Sequence, residues 1–453
     1  MRNKWIICGL AVLFTTATSC KKYLDIAPVG KTILTNVSDY DLFLNSQDLT
    51  ASGARELNLL GDDVDVTTIP KTPDRVEDLI YLWNAQYSTD TKVPPAFWGR
   101  HYGNIYRFNA VLVGIDNAGN GTERDRRRIK AEALLGRAFE YLYLVNLYAK
   151  PYNAATAAKD LAVPFVTSVD ISDATPPRST VAEIYDHIIG DINAAIPDLP
   201  ANNTANHFRG AVTAANSVLA RAYLYTGRYE AAAKYARLAM GDNPPAILDY
   251  NTIANKSAIP NMAIRPFDLY ARYSTNASLK EYPTVAFLKM FDVSDLRLKL
   301  FYENTGDYTY PKRGVVAFNP SGAVANFGTC VEEMKLIIAE AAARAGRLPE
   351  ALAQVNDIRK CRIKKEAYQP LSSTDAMEVM GFVMRERRLE LAYKGLRWMD
   401  MRRLDAENRM PAVYRYDANN EAIATLPPHG ARYTLQIPLA VLQFNPDMPR
   451  NDD

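Results

Sequence analysis

Apolar residues recur at helical spacing over much of this chain. Residues 128–148 (RIKAEALLGRAFEYLYLVNLY) are apolar all round, which predicts a central, buried helix. In the preceding stretch, FWGRHYGNIYRFNAVLVGID, Phe97, Ile105, Phe108 and Leu112 fall close to one face. Residues 180–196 read as a helix with Thr180 as its cap and Pro197 as its stop. Residues 211–240 hold two helices, AVTAANSVLARAYLYTG ending at Gly227 and RYEAAAKYARLAM closed by Asn243-Pro244-Pro245. A glycine turn between two short helices predicts a helical hairpin.

That hairpin fits the tetratricopeptide pattern, with Ala220, Tyr223, Gly227, Tyr229, Ala232, Ala239 and Pro244 at the repeat's spacings. Residues 331–360 repeat it, with Ala339, Ala342, Gly346 and Ala351 in matching places and Pro349 in a first helical turn. Between the units, residues 245–330 are rich in Tyr, Asn, Pro and Ser and lack long helical periodicity. Repeat arrays tolerate such insertions on one face, often the binding face. The expected fold is mainly α: tetratricopeptide-like hairpins (211–244 and 331–360 among them) as a scaffold, with long irregular loop insertions, in one body over residues 20–453.

The first residues read as a processing signal. Arg2 and Lys4 precede an apolar core from Trp5 to Phe14, then small and hydroxyl residues up to Ser19. The core is about half the ~20 residues of a spanning helix. Residues 1–19 are therefore expected to be a signal peptide. Ala17-Thr18-Ser19-Cys20 is a loose lipobox, which makes Cys20 the candidate lipidation site; plain secretion is the alternative. Several acyl chains on one thiol anchor stably, at ~0.8 kcal/mol per buried methylene.

Charge and cysteine usage exclude several classes. Of 53 Lys+Arg, two leave with the signal, which balances the 51 Asp+Glu. No positive stripe suits nucleic acid; the basic run from Arg124 to Lys130 reads as a solvated face. After processing Cys330 and Cys361 remain; they read as buried or partly buried thiols, with one disulfide between them the alternative. A disulfide-stapled scaffold is excluded, because a chain this long buries a large core without staples.

Six ordered blocks together resemble the RagB/SusD family of Bacteroidetes outer-membrane lipoproteins. They are the start from Cys20 (CKKYLDIAP), AEALLGRAFEYLYLVNLYAKPY with Val163 to Val166 after it, PPRSTVAEIYDHIIGDINAAIPDLP, TAANSVLARAYLYTGRYEAAAKYA, MRERRLELAYKGLRWMDMRR, and the tail LQIPLAVLQFNPDMPRND. The resemblance implies four tetratricopeptide-like helix pairs with irregular loops on one side. It also implies a surface-exposed, lipid-anchored protein that holds a glycan, or sometimes a peptide, over a SusC-like TonB-dependent transporter. No catalysis and no cofactor are implied.

Enzyme chemistry has weak support in the residues. Glu386 and Glu390 share one helical face, whereas glycosidase carboxylates flank a sugar; an ion network with Arg385, Arg387 and Arg388 is the expected reading. Asp62, Asp63 and Asp65 fail the EF-hand spacing and read as a solvated or capping loop, with a surface cation as the alternative. His101, His187, His207 and His429 lack metal-ligand spacing. Sugar rings present C–H faces that lie on Trp or Tyr, while Asn, Asp and Arg take the hydroxyls. Trp98 and Trp398 read as core. The first candidate ligand patch is Tyr81, Trp83, Asn84 and Tyr87, before a polar loop. The second is Asp268, Tyr270, Arg272 and Tyr273, with Asn276 beside it. Tyr302, Tyr308 and Tyr310 form a third. The leading reading is a surface nutrient-binding protein; the alternative is a helical scaffold that only docks proteins.

Overall fold

The computed structural model describes residues 34–452 other than 71, 89, 277–278, 306–311 and 321–324. The signal peptide, Cys20, Tyr308 and Tyr310 lie outside the described residues. The structure is mainly helical. Among the described residues, nine helices have ten residues or more: α1 (Ala96–Gly114), α2 (Glu123–Tyr148), α3 (Val181–Ala195), α4 (Val212–Tyr225), α5 (Tyr229–Met240), α6 (Val331–Arg344), α7 (Leu348–Arg359), α8 (Ala376–Glu390) and α9 (Arg397–Ala406).

Helices α1 to α6 pack in succession, and α6 also packs on α7 and α8. Helix α2 is buried on every side from Leu135 to its end at Tyr148, as its all-round apolar pattern requires. It meets α1 at Gly136, where an added Cβ would lie 2.2 Å from the Phe108 ring. Helix α3 begins with a capping box between Thr180 and Glu183. The α4–α5 and α6–α7 hairpins turn at Gly227 (φ 69°) and Gly346 (φ 73°), a left-handed backbone that glycine adopts without a Cβ clash. Ala220, Ala232 and Ala236 of the first hairpin pack directly on Met334, Ile337 and Ala341 of the second. Residues 245–330 therefore loop out between two units that touch.

Ion pairs lock this scaffold to its loops. Glu386 and Glu390 form a buried network, but not with the arginines beside them. Arg297 lies 2.8 Å from Glu386 and 2.9 Å from Glu390, and Arg362 lies 2.7 Å from Glu390 and 3.0 Å from Glu332. Burial pushes the Glu390 carboxyl up, yet Arg362 and Arg297 outweigh it and hold it down at about 2. Arg385 donates to the Met290 carbonyl, Arg387 to Asp400 and Arg388 to Asp63. Arg385 and Arg387 each project about 100° around the helix from Glu386, toward other neighbours. The 62–65 loop is likewise not solvated. Asp62 pairs with Arg397 at 2.6 Å and Asp65 with Arg313 at 2.6 Å, and Asp63 and Asp65 are buried. Cys330 and Cys361 are free thiols.

Near the end of the chain, Val413–Tyr416 pairs antiparallel with Ala422–Leu426. Two strands alone are marginal in water. This hairpin is pinned by Arg415, which enters the core and donates to the carbonyls of Tyr81 (2.9 Å), Val64 (3.1 Å), Leu59 (2.7 Å) and Gly61 (2.9 Å). Its guanidinium lies 4.1 Å from the Tyr81 ring and 4.0 Å from the Trp83 ring.

Candidate functional site

The short helix Val76–Tyr81 ends before Trp83, whose φ of 54° places it in the left-handed region. A large side chain is strained there. The indole is held by what surrounds it: its N–H donates to the Leu60 carbonyl at 2.9 Å, and its face covers Arg415. Trp83 is 2 % exposed and Tyr81 1 %. Both are thus corrected from ligand-facing rings to supports of the hairpin, because a ring already covered by a guanidinium offers no face to a sugar.

Asn84 and Tyr87, both half-buried, fare differently. With the edge of Trp83 they line a hollow of about 320 Å³, closed on the other side by Arg432, Thr434, Gln436 and Asp452. Tyr87 packs edge-on against Phe97 at 6.1 Å. This hollow is one of a row. Through Tyr87, Gln436 and Pro94 it adjoins a hollow of about 420 Å³ over Trp98, Tyr102, Pro164, Phe444 and Met448. Through Thr434 and Asp452 it adjoins one of about 600 Å³ with Lys150, Lys159, Arg178, His429 and Arg450. The row forms a furrow along residues 430–452, apolar at one end and charged at the other.

The furrow wall is cross-linked by hydrogen bonds. Arg178 donates to the carbonyls of Ala162 (2.7 Å), Leu161 (3.1 Å) and Pro449 (2.8 Å) and to Asn451 (2.6 Å). With no carboxylate partner among these, burial pulls its pKa down to about 10. Gln86 holds the Ile437 carbonyl at 3.0 Å and the Leu439 N–H at 3.1 Å. Arg402 spans the carbonyls of Asn146, Ala149 and Tyr433. Binding on such a wall orders little new chain.

The second patch lies elsewhere and is largely core. Asp268, Tyr270 and Arg272 are each 2 % exposed. Asp268–Tyr270 is a strand paired with Thr329–Cys330 and covered on both faces. Arg272 sits 3.8 Å over the Tyr270 ring and donates to the carbonyls of Phe208 (3.1 Å) and Ala271 (2.6 Å). Asp268 accepts from Arg265 and Asn326. These three are also corrected, since an extended segment sandwiched between layers turns no side chain outward. Tyr273, half-buried, packs on Phe208 at 5.8 Å. Asp268 borders a cavity of about 50 Å³, room for water and not for a sugar. Tyr302 is buried among Phe291, Phe318 and Tyr393.

The furrow's own ligand-sized surface was missed. Its aromatic floor, Trp98 and Tyr102, reads as packing at helical spacing, and Phe444, 79 % exposed, sits in a closing motif. An apolar side chain beside Asn445-Pro446 was the available signal. Among the described residues no cluster of His, Cys, Asp and Glu could hold a metal ion, and no helix is long and apolar enough to cross a membrane. A row of hollows with rings at its floor and amides, guanidinium and ammonium groups at its rim suits an elongated, hydroxyl-rich ligand.

Known proteins share this architecture. Residues 62–224 match a family described as starch-binding, associating with the outer membrane, and residues 332–452 match the SusD family. A SusD-like protein of Formosa agariphila is 24 % identical, over 76 % of this chain and 79 % of its own length. A SusD superfamily structure from Bacteroides thetaiotaomicron superposes with a TM-score of 0.75 at 21 % identity, covering 92 % of this chain and 100 % of that one. A surface glycan-binding protein A from Bacteroides uniformis gives 0.71 at 18 %, covering 91 % and 99 %. The two family matches, together spanning more than half of the sequence, and the shared fold make this chain a member of the SusD/RagB family.

Proposed function

We propose that this protein is a surface-exposed lipoprotein of the outer membrane that binds a glycan along the furrow and delivers it to a SusC-like TonB-dependent transporter, without altering it. The observation that carries this reading is the pair of family matches, one of them to a family described as starch-binding. The name of the Bacteroides uniformis neighbour points the same way. The furrow supports it, because Asn84, Tyr87, Arg432 and Gln436 stand beside an aromatic-floored hollow. Glu386 and Glu390 sit in a buried ion network and line none of the furrow's hollows.

The test is a glycan array probed with the chain from Lys21 onward, alongside Asn84→Ala and Phe444→Ala, both at positions reached by solvent. The expected result is saturable binding to one class of oligosaccharide, weakened by roughly tenfold in each variant. Binding to peptides alone, or to nothing, refutes the glycan reading. For the anchor, palmitate labelling in cells is lost in Cys20→Ala. For the partner, the transporter co-purifies from outer membranes with the wild-type chain.

A further inference from the structure

The 413–426 hairpin carries a feature that folding does not require. Along Val413–Tyr416 the side chains alternate, so Arg415 points into the core while Tyr414 and Tyr416 share the outer face. The two tyrosines are 48 % and 40 % exposed, and Ile423 across the strand pair is 41 % exposed. Their ring centroids are 6.3 Å apart and their planes differ by 35°, so the rings lie side by side. The residues opposite them are small, Thr425 facing Tyr414 and Ala422 facing Tyr416. Neither ring is covered by its cross-strand neighbour.

Polar groups rim this surface. Arg313 lies 5.9 Å from the Tyr416 ring and binds the carbonyls of Tyr416 (3.0 Å) and Asp417 (2.7 Å) and the Asn420 side chain (2.8 Å). Asn419 and Asn420 are exposed at the turn. Beneath, the four carbonyls held by Arg415 fix the strand, so the rings are already in place before anything binds. None of these residues lines the furrow.

We infer that Tyr414 and Tyr416 form a second glycan-contact shelf, on which successive sugar rings of a polymer lie while the furrow holds another stretch or another chain. This rests on the proposed glycan capture. Two neighbouring rings, each 40 % or more exposed, match the C–H faces of consecutive sugars, and the amide and guanidinium rim matches their hydroxyls. Three apolar side chains are too few for a protein partner, which needs about 800 Å² from each side of a standard interface. A shelf apart from the main site gives a polymer two points of attachment, raising its avidity with no new contact in the furrow.

The test is affinity electrophoresis of the chain from Lys21 onward through gels containing starch, β-glucan, xylan, mannan, alginate or pectin. The wild type is compared with Tyr414→Ala/Tyr416→Ala and Tyr414→Phe/Tyr416→Phe. The expected result is retardation of the wild type by one polymer, roughly tenfold weaker affinity in the alanine pair, and retention in the phenylalanine pair. Binding of short oligosaccharides stays unchanged in both. Equal retardation of wild type and the alanine pair overturns the shelf and leaves the furrow reading standing. No retardation of the wild type by any polymer overturns glycan capture and the shelf with it. Loss of the co-purifying transporter from the alanine pair, with polymer affinity intact, overturns the shelf in favour of a protein contact.

Discussion

Tyr270-Ala271-Arg272-Tyr273 and Tyr414-Arg415-Tyr416 are near-equal in composition and opposite in outcome. The first begins on the last residue of a short strand and runs on beyond it, the second lies within one, and in both an arginine lies against tyrosine rings. In the first, Tyr270 and Arg272 are two apart, share a face, and are buried together. In the second, the arginine occupies the odd position and goes inward alone, which turns both tyrosines out. Side chains alternate along a strand, so a shift of one residue exchanges core for surface. What an aromatic-rich stretch does is therefore set by whether the packed layers cover both of its faces, as at 268–272, or one, as at 413–416, where parity then decides which side chains turn out.

The comparison can be broken at several points. Arg415→Ala leaves four buried carbonyls unpaired and is expected to destabilise the protein by about 4 kcal/mol, read from the urea midpoint. A loss under about 1 kcal/mol would mean that the hairpin is seated by something else. Tyr270→Ala, which empties a site against Phe139, is expected to cost about 3 kcal/mol. A neutral result there would remove the distinction between the two segments.

Acid also separates them. His207 receives the Ala271 N–H on its carbonyl and is itself buried. Burial, then Arg265, pulls its pKa down to about 4. The unfolded chain therefore binds the extra proton first, and stability falls as pH drops from about 6.5 through 4, by up to about 3 kcal/mol. Urea midpoints across that range are expected to slope less in His207→Gln. An unchanged slope would place the acid sensitivity elsewhere. The smallest effect belongs to Tyr414→Ala and Tyr416→Ala, each expected within about 0.5 kcal/mol of wild type because the rings are exposed. A larger loss would show that the outer face of the hairpin is structural after all.

The scaffold was legible because its signals are local. Gly227 and Gly346 mark the hairpin turns, Thr180 caps α3, and the all-round apolar run of α2 predicts its burial. The family blocks extended this from two hairpins to the whole helical array. The site was less legible because exposure is a tertiary property. Tyr81 and Trp83 look like a binding patch until Arg415, more than 300 residues away in sequence, comes to rest on them. Asp65 looks solvated until Arg313 reaches it. Asn84 and Tyr87 alone of the first patch border the furrow without being closed off, and the rest of the furrow comes from a tail segment whose Phe444 is unremarkable in sequence. The alternation in Val413–Tyr416, followed by Asn419 and Asn420, was a readable hairpin signal that aromatic counting passed over.

The seating of Arg415 against Trp83 also has an optical consequence. In the chain from Lys21 onward the tryptophans are Trp83, Trp98 and Trp398, all buried, so its emission is set by interior surroundings. A glycan resting on Tyr414 and Tyr416 touches none of the three indoles and would leave that emission unchanged. Withdrawal of the Arg415 guanidinium would not, because it removes a cation from the face of one fluorophore. Trp83 is in effect a built-in gauge of whether the hairpin is docked, readable without a label.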